Sequence, residues 1–309
     1  MKRAFVFPGQ GSQYVGMGRD LLDACPQAEE IFETAREVTG VPVKELVLSG
    51  PMEELTRTVN LQPALTAVDM LCCAALREQG VDADAAAGHS LGEYPALWAA
   101  GFLEMPNVFR LVKARGELME QAAAENPGAM AAVIGLERAE LQELVDQVRS
   151  GAQEGVLALA NHNSREQIVV TGTKELVAEL CRAVKGMGKR AVPLKVSGAY
   201  HSPLMKGAAD RFRQILEEVP FKDGRIPLYS NVTAAPETSG ERMRKLMAEQ
   251  ICSPVRWYEI VNNMYGSGIR LFVELGPKKV LSGLIKKCLD ADDYRVVNVE
   301  DSQGLTQQF

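Results

Sequence analysis

The chain has 309 residues, 46% hydrophobic and 24% charged, with a formal net charge of −6. Apolar content this high and net charge this low exclude disorder as the dominant state, and a pI near 5.4 argues against a nucleic-acid partner. The longest apolar stretches, such as residues 83–87 and 129–134, fall far short of the ~20 residues of a membrane span, so no membrane association is expected.

The length suits one large domain or two smaller ones. The first eight residues run straight into a strand-like segment without an apolar signal region, so no secretory signal is expected. Six cysteines (Cys25, Cys72, Cys73, Cys181, Cys252 and Cys288) are scattered with no CxxC spacing. That pattern predicts neither disulfides nor zinc and fits a reducing cytosol.

Periodicity predicts a strand at residues 4–7 followed by the glycine-rich turn Pro8-Gly9-Gln10-Gly11-Ser12-Gln13. Helical patterns continue to about residue 80. A short strand at 83–87 leads into Gly88-His89-Ser90-Leu91-Gly92, then a helix at 93–100 and an amphipathic helix at 108–121. The rhythm then changes: strand 130–135, helix 138–149, strands 156–160 and 167–171, helix 174–185 and strand 190–196. That order, β-α-β-β-α-β, is the signature of a ferredoxin-like unit. It predicts a small domain at residues 126–196 inserted into a large α/β domain of residues 1–125 and 197–309. The remainder reads as a helix (203–218), a strand (226–230), a polar loop (233–240), two helices, a strand (270–275) and a last helix (279–289). Strands alternating with helices predict a mostly parallel sheet covered on both faces.

Gly88-His89-Ser90-Leu91-Gly92 matches G-x-S-x-G, the nucleophile elbow, with a strand before it and a helix after it. A serine nucleophile needs a base, and the chain offers three histidines: His89, His162 and His201. His89 adjoins Ser90 at a sharp turn, where neighbouring side chains point apart. His162 lies at the end of a strand in the small unit. His201 lies where the chain re-enters the large one, and is the favoured base. No acid stands out as its partner, so a Ser-His dyad is expected, with a backbone or amide carbonyl able to fix the imidazole tautomer.

Arg115 lies on the apolar stripe of Val108, Val112 and Met119, with apolar neighbours three and four residues away on both sides. Unless it snorkels to solvent or is paired elsewhere in the fold, such a guanidinium needs an anion, and its fork suits a carboxylate. The turn at 8–13 fails as a phosphate loop, because Met17-Gly18 stands where Lys-Ser/Thr is required. A tight loop there can instead supply a backbone N–H to an oxyanion hole.

With these residues in place, the chain resembles the malonyl-CoA:acyl-carrier-protein transacylases, whose pattern is shared by discrete acyltransferases of polyketide assembly. The likeness runs from Phe7-Pro8-Gly9-Gln10-Gly11-Ser12-Gln13 through Gln62-Pro63-Ala64, Gly128-Ala129-Met130, Asn163-Ser164 and Ser253-Pro254-Val255-Arg256-Trp257 to Val273-Glu274-Leu275-Gly276-Pro277. It implies a hydrolase-like core with a ferredoxin-like insertion. It also implies Ser90 as nucleophile and His201 as base, with Gln10 and Leu91 N–H groups forming the oxyanion hole. Arg115 would bind the malonyl carboxylate and the Gln250 main-chain carbonyl would orient His201. Met119, Asn161 and Tyr200 are expected in the acyl pocket. Tyr200 replaces the family's usual phenylalanine; methylmalonyl-selective relatives tend to carry serine there. Arg165-Glu166 replaces a proline-containing pair.

The resemblance further implies malonyl-CoA and phosphopantetheinyl acyl carrier protein as substrates, no permanently bound cofactor and no metal, and a cytoplasmic monomer. The carrier is acidic, so a basic patch should receive it. Lys185, Lys189, Arg190 and Lys195 form one candidate; Lys278, Lys279, Lys286 and Lys287 form the other. Two rivals stand beside this reading. A thioester hydrolase would share the elbow and dyad, and a nucleotide-binding module is disfavoured by the failed phosphate motifs.

Overall fold

The computed structural model describes residues 1–196 and 198–309. Ser197, where the sequence places the junction between the two units, lies outside the described residues. In chain order, β1 (Lys2–Phe7) is followed by α1 (Ala28–Thr39), α2 (Val43–Ser49), α3 (Met52–Thr56) and α4 (Thr58–Glu78). Next come β2 (Ala85–Gly88), α5 (Glu93–Ala100), α6 (Met105–Glu125), β3 (Ala129–Ile134), α7 (Arg138–Ser150), β4 (Leu157–Ser164) and β5 (Gln167–Gly172). Then follow α8 (Lys174–Gly186), β6 (Arg190–Pro193), α9 (Lys206–Glu217), β7 (Leu228–Tyr229), β8 (Pro236–Glu237) and α10 (Gly240–Gln250). The chain ends with α11 (Trp257–Gly266), β9 (Ile269–Leu275), α12 (Val280–Cys288) and β10 (Arg295–Val299).

One sheet has the order β10-β9-β1-β2-β7-β8. All its pairings are parallel except β7 with β8. β1 shows why it is buried on both sides. Phe5 and Phe7 join the core built with α4, α5 and α6, while Ala4 and Val6 join a second core with α11 and α12. Apolar residues at every position, rather than alternate ones, mark a strand covered on both faces.

The second sheet is antiparallel, ordered β4-β5-β3-β6. One face packs α7 and α8 through Val133, Leu159, Ile168, Leu141 and Leu180. The other face turns Met130, Ala160 and Val169 toward the large core.

Several boundaries differ from the sequence expectation. β4 continues to Ser164, so Asn161 and His162 lie within the strand. β6 stops at Pro193, and β7 is only two residues long. The polar loop at 233–240 contains the short edge strand β8. β10, at the opposite edge, lies beyond the last element that the sequence predicts.

α4 carries an apolar run longer than the stretches at 83–87 and 129–134. This 21-residue helix is long and apolar enough to cross a membrane by composition. Since 89% of its apolar window is buried within the fold, it serves as a core helix. Gly116 of α6 approaches it closely: a Cβ there would lie 3.2 Å from the Thr58 carbonyl oxygen.

Candidate active site

The two sheet strands β1 and β2 end side by side, with Phe7 paired to Gly88. Their following loops therefore open at the same end of the sheet, the carboxyl end where open α/β sheets place their ligands. The elbow between β2 and α5 is too tight for side chains at its flanking positions. A Cβ on Gly88 would fall 1.9 Å from the Gly92 carbonyl, and one on Gly92 would fall 2.1 Å from the Phe7 carbonyl oxygen. Ser90 itself sits in the left-handed region, φ 53°. Such strain persists only where the surroundings over-determine it. Asn231 does much of this. Its Oδ1 accepts from Ser90 N–H at 2.7 Å, and its Nδ2 donates to the Gly88 carbonyl at 2.6 Å.

His201, in the loop before α9, reaches the same point with φ 57°. Its Nε2 lies 2.8 Å from Ser90 Oγ. Its Nδ1 faces two main-chain carbonyls, of Gln250 at 3.0 Å and of Ser253 at 3.1 Å. A carbonyl can only accept, so Nδ1 carries the proton and the Nε2 lone pair points at the serine hydroxyl. Burial, then the nearby Arg115 cation, pushes this imidazole down to about 3.

Arg115 projects from α6 and is 1% exposed. Its Nη2 donates to Ser90 Oγ at 3.0 Å and to Gln250 Oε1 at 3.2 Å. The guanidinium carbon lies 5.5 Å from the Tyr94 ring centre, a cation–π distance. Of the alternatives open at the sequence level, snorkelling is excluded by this burial.

Behind these three groups Glu93, also 1% exposed, accepts from Asn231 N–H at 3.0 Å and from Gln250 Nε2 at 2.7 Å. Burial pushes its carboxyl up, to about 7, against the pull of those donors and of Arg115.

Ser90, His201, Arg115, Gln10, Leu91, Met119, Asn161 and Tyr200 all line one cavity of about 180 Å³. Gln250 stands behind its wall. The second sheet closes the opposite side with Met130, Asn163 and Val169. His89 turns away from the serine, as the sharp turn requires. Its Nε2 meets Asn163 Oδ1 at 2.7 Å, and its ring packs 5.7 Å from that of Trp257. His162 stacks on Tyr258 at 4.8 Å and pairs with Glu259, apart from the cavity lining.

Sequence reasoning missed Asn231, Ser253 and the role of Glu93. Glu93 closes the quoted Gly88–Glu93 stretch, but nothing in that motif tells where its carboxylate points. Both basic candidates reach the cavity's surroundings. Lys195 lies between Leu194 and Val196, which line the wall, and Lys278 Nζ donates to the Gly11 carbonyl, beside Gln10. Among the described residues no group of three or more His, Cys, Asp and Glu is placed to hold a metal ion.

The acyl transferase domain family matches residues 4–303. The malonyl CoA-acyl carrier protein transacylase of Bacillus subtilis is 43% identical over 290 residues, 93% of this chain and 90% of that protein. The solved acyl carrier protein S-malonyltransferase of Vibrio cholerae superposes with a TM-score of 0.93 at 38% identity, covering 99% of each chain. A malonyl-transacylase solved in complex with its type II polyketide-synthase acyl carrier protein gives the same TM-score and identity, over 99% of this chain and 98% of that one. With nearly its whole length matched in sequence and in fold, the chain belongs to the acyl transferase family, alongside the malonyl CoA-acyl carrier protein transacylases.

Proposed function

We propose that the chain transfers a malonyl group from malonyl-CoA to the phosphopantetheine thiol of an acyl carrier protein, through an acyl-enzyme on Ser90. This supplies extender units for fatty-acid or polyketide synthesis. The observation that carries the reading is a convergence on one atom: Ser90 Oγ lies 2.8 Å from a base and 3.0 Å from a buried cation. A thioester hydrolase needs the base. The cation suits an acyl group that ends in a carboxylate.

In this mechanism Ser90 Oγ attacks the thioester carbonyl while its proton passes to His201 Nε2. The oxyanion is met by the N–H groups of Gln10 and Leu91, each such donor typically worth ~10²–10³ in rate. Collapse breaks the C–S bond, and the imidazolium returns its proton to the departing coenzyme A sulfur. The carrier thiol then enters and gives its proton to Nε2. Its sulfur attacks the seryl ester, and Oγ leaves with the proton restored. The kinetics are ping-pong. No permanent cofactor is assigned, since both thiols are substrates.

Intact-protein mass spectrometry after brief incubation with malonyl-CoA tests this directly. One malonyl adduct is expected on the wild type and none on Ser90→Ala. Coenzyme A release without any adduct would favour hydrolysis and overturn the transferase reading.

Residues 126–196 are read as a small ferredoxin-like domain inserted between the two parts, 1–125 and 197–309, of a hydrolase-like domain. The strand order β4-β5-β3-β6 supports this, as it places the first and third strands of the unit at the centre. The enzyme is read as a cytoplasmic monomer, in a compartment that keeps its six unpaired cysteines as thiols.

Tyr200 is 6% exposed on the cavity wall, where its ring limits branching of the acyl chain. Tyr200→Ser is expected to raise methylmalonyl transfer relative to malonyl transfer about 10-fold, the usual worth of one methyl group in a shaped pocket. An unchanged ratio of kcat/KM values would remove Tyr200 as the discriminator.

The acidic carrier is received at Lys195 or Lys278, one beside each side of the cavity lining. Charge reversal at the docking lysine is expected to raise the KM for carrier several-fold, more at low salt, while the KM for malonyl-CoA is less affected. A KM unaffected by Lys195→Glu or by Lys278→Glu eliminates that lysine.

A further inference from the structure

Gln250 meets four residues of the site, Ser90, Glu93, Arg115 and His201. Its main-chain carbonyl accepts from His201 Nδ1 at 3.0 Å. Its side-chain Nε2 donates to the Ser90 carbonyl at 2.8 Å and to Glu93 Oε2 at 2.7 Å, leaving Oε1 to accept from Arg115 Nη2 at 3.2 Å. Both amide hydrogens are thus spent on groups that can only accept, when Glu93 is ionised, and the oxygen faces a group that can only donate. Reversing the amide would set NH₂ against the guanidinium. It would also leave the Ser90 carbonyl and the Glu93 carboxylate facing an oxygen.

Glu93 is anchored on its other side by Asn231 N–H, and Asn231 is the residue that staples the elbow. The chain of contacts therefore runs from the elbow through Glu93 and Gln250 to Arg115. Besides the Tyr94 ring it lies over, Arg115 has little else to hold it. Its Nε is buried without a hydrogen-bond partner among the described residues, and its other hydrogen bond, to Ser90 Oγ, is the one an arriving carboxylate competes with. Once a substrate engages the guanidinium, Gln250 Oε1 is the hydrogen-bonded anchor that stays, beside the Tyr94 face.

We infer that Glu93, acting through the side-chain amide of Gln250, is a positioning residue for Arg115 that sets the preference for a carboxylate-bearing acyl group. This rests on the proposed malonyl transfer and assigns the acid a task separate from the Ser-His chemistry. A glutamine at position 93 would be nearly isosteric, but its single oxygen cannot accept from Asn231 and Gln250 in the same geometry. Its NH₂ would favour the reversed Gln250 amide, with a donor facing Arg115.

The test compares malonyl-CoA with acetyl-CoA as donors to the carrier protein, using the full-length enzyme. For Glu93→Gln, the malonyl-to-acetyl ratio of kcat/KM should fall roughly 10- to 100-fold, the effect of losing one buried charged hydrogen bond. Gln250→Met keeps the carbonyl that holds His201 but removes the amide. It should lower the ratio to a similar degree, and it decides the matter if Glu93→Gln does not fold. In an Arg115→Ala background, Glu93→Gln should leave the ratio where Arg115→Ala has put it, because the residue it positions is gone.

A parallel fall of both donors in the single variants would reduce Glu93 to a structural role and overturn the inference, as would an independent, additive effect on the ratio. The two readings fail differently. A wild type that forms no malonyl adduct sinks the proposed function, whereas a normal wild type with an unshifted ratio in Glu93→Gln and Gln250→Met sinks only the positioning role.

Discussion

Replacing His201 by alanine should lower kcat/KM for malonyl transfer by roughly 10⁴-fold, the upper range for a general acid–base that acts in both half-reactions. The expectation follows from the geometry around Nε2. Two carbonyls hold the proton on Nδ1, at 3.0 and 3.1 Å, and no other imidazole among the described residues points at Ser90 Oγ. His89 is directed to Asn163 instead. The same environment sets a pH signature. With the neutral imidazole as the proposed base, activity should be lost as pH falls through its pKa. Burial and Arg115 hold that pKa at about 3 in the free enzyme. With acetyl-CoA as donor, whose transfer does not depend on the Glu93–Gln250–Arg115 contacts, the acid limb of kcat/KM should therefore lie well below the ordinary imidazole value of ~6.5. Removing the Arg115 cation relieves part of the downward push and should move the limb up. A wild-type limb near ~6.5, with no shift in Arg115→Ala, would show that His201 is far better solvated than its burial indicates.

The sequence carries much of this site because the elbow is a local device. Gly88, Ser90 and Gly92 lie within five residues, and the clash that demands Gly88 is with the next turn of chain at Gly92, although Gly92 itself is demanded by the Phe7 carbonyl at the end of β1. The β-α-β-β-α-β order of residues 126–196 is legible for a similar reason, since each element has its own period and its own breaker. What escapes the sequence is contact between distant segments. Asn231 reaches Ser90 across 141 residues and Glu93 across 138, and Gln250 reaches Ser90 across 160. An Asn in a polar loop and a Glu at the start of a helix have ordinary local explanations, so neither announces a buried partner. The edge strands differ in this respect. β8 is two residues containing Pro236, whereas β10 follows the acidic stretch Asp290–Asp293 and carries a strand signal in Val296, Val297 and Val299 before it pairs with β9. The orienting group of His201 shows both sides of this. The missing acid was legible as an absence among the sequence candidates, yet the second carbonyl, of Ser253, becomes visible only when the segment after α10 folds over the imidazole.

Arg115→Ala should cost malonyl transfer about 10²–10³-fold in kcat/KM, the usual loss when one partner of a buried charged pair is removed, with acetyl transfer falling far less. The argument starts from the cost of the cation. A guanidinium 1% exposed loses most of its hydration, and among the described residues its charge is met only by polar partners, the Tyr94 face and a Glu93 carboxyl that burial has itself pushed up to about 7. That leaves it under-compensated and directed at the nucleophile, 3.0 Å from Ser90 Oγ. In the proposed complex a malonyl carboxylate supplies the missing charge at the position where the acyl group must sit to be attacked. The resulting orientation is gained before chemistry begins and persists in the acyl-enzyme. The same neutralisation relieves the push on His201, so the base strengthens when the correct donor is bound. An acetyl group offers no anion and meets the site with the cation unpaired. Selectivity should therefore appear in kcat as well as in KM, and both should collapse toward the acetyl values in Arg115→Ala. If malonyl and acetyl transfer instead fell by the same factor, Arg115 would be acting on Ser90 and His201 alone, and the carboxylate clamp would have to be abandoned.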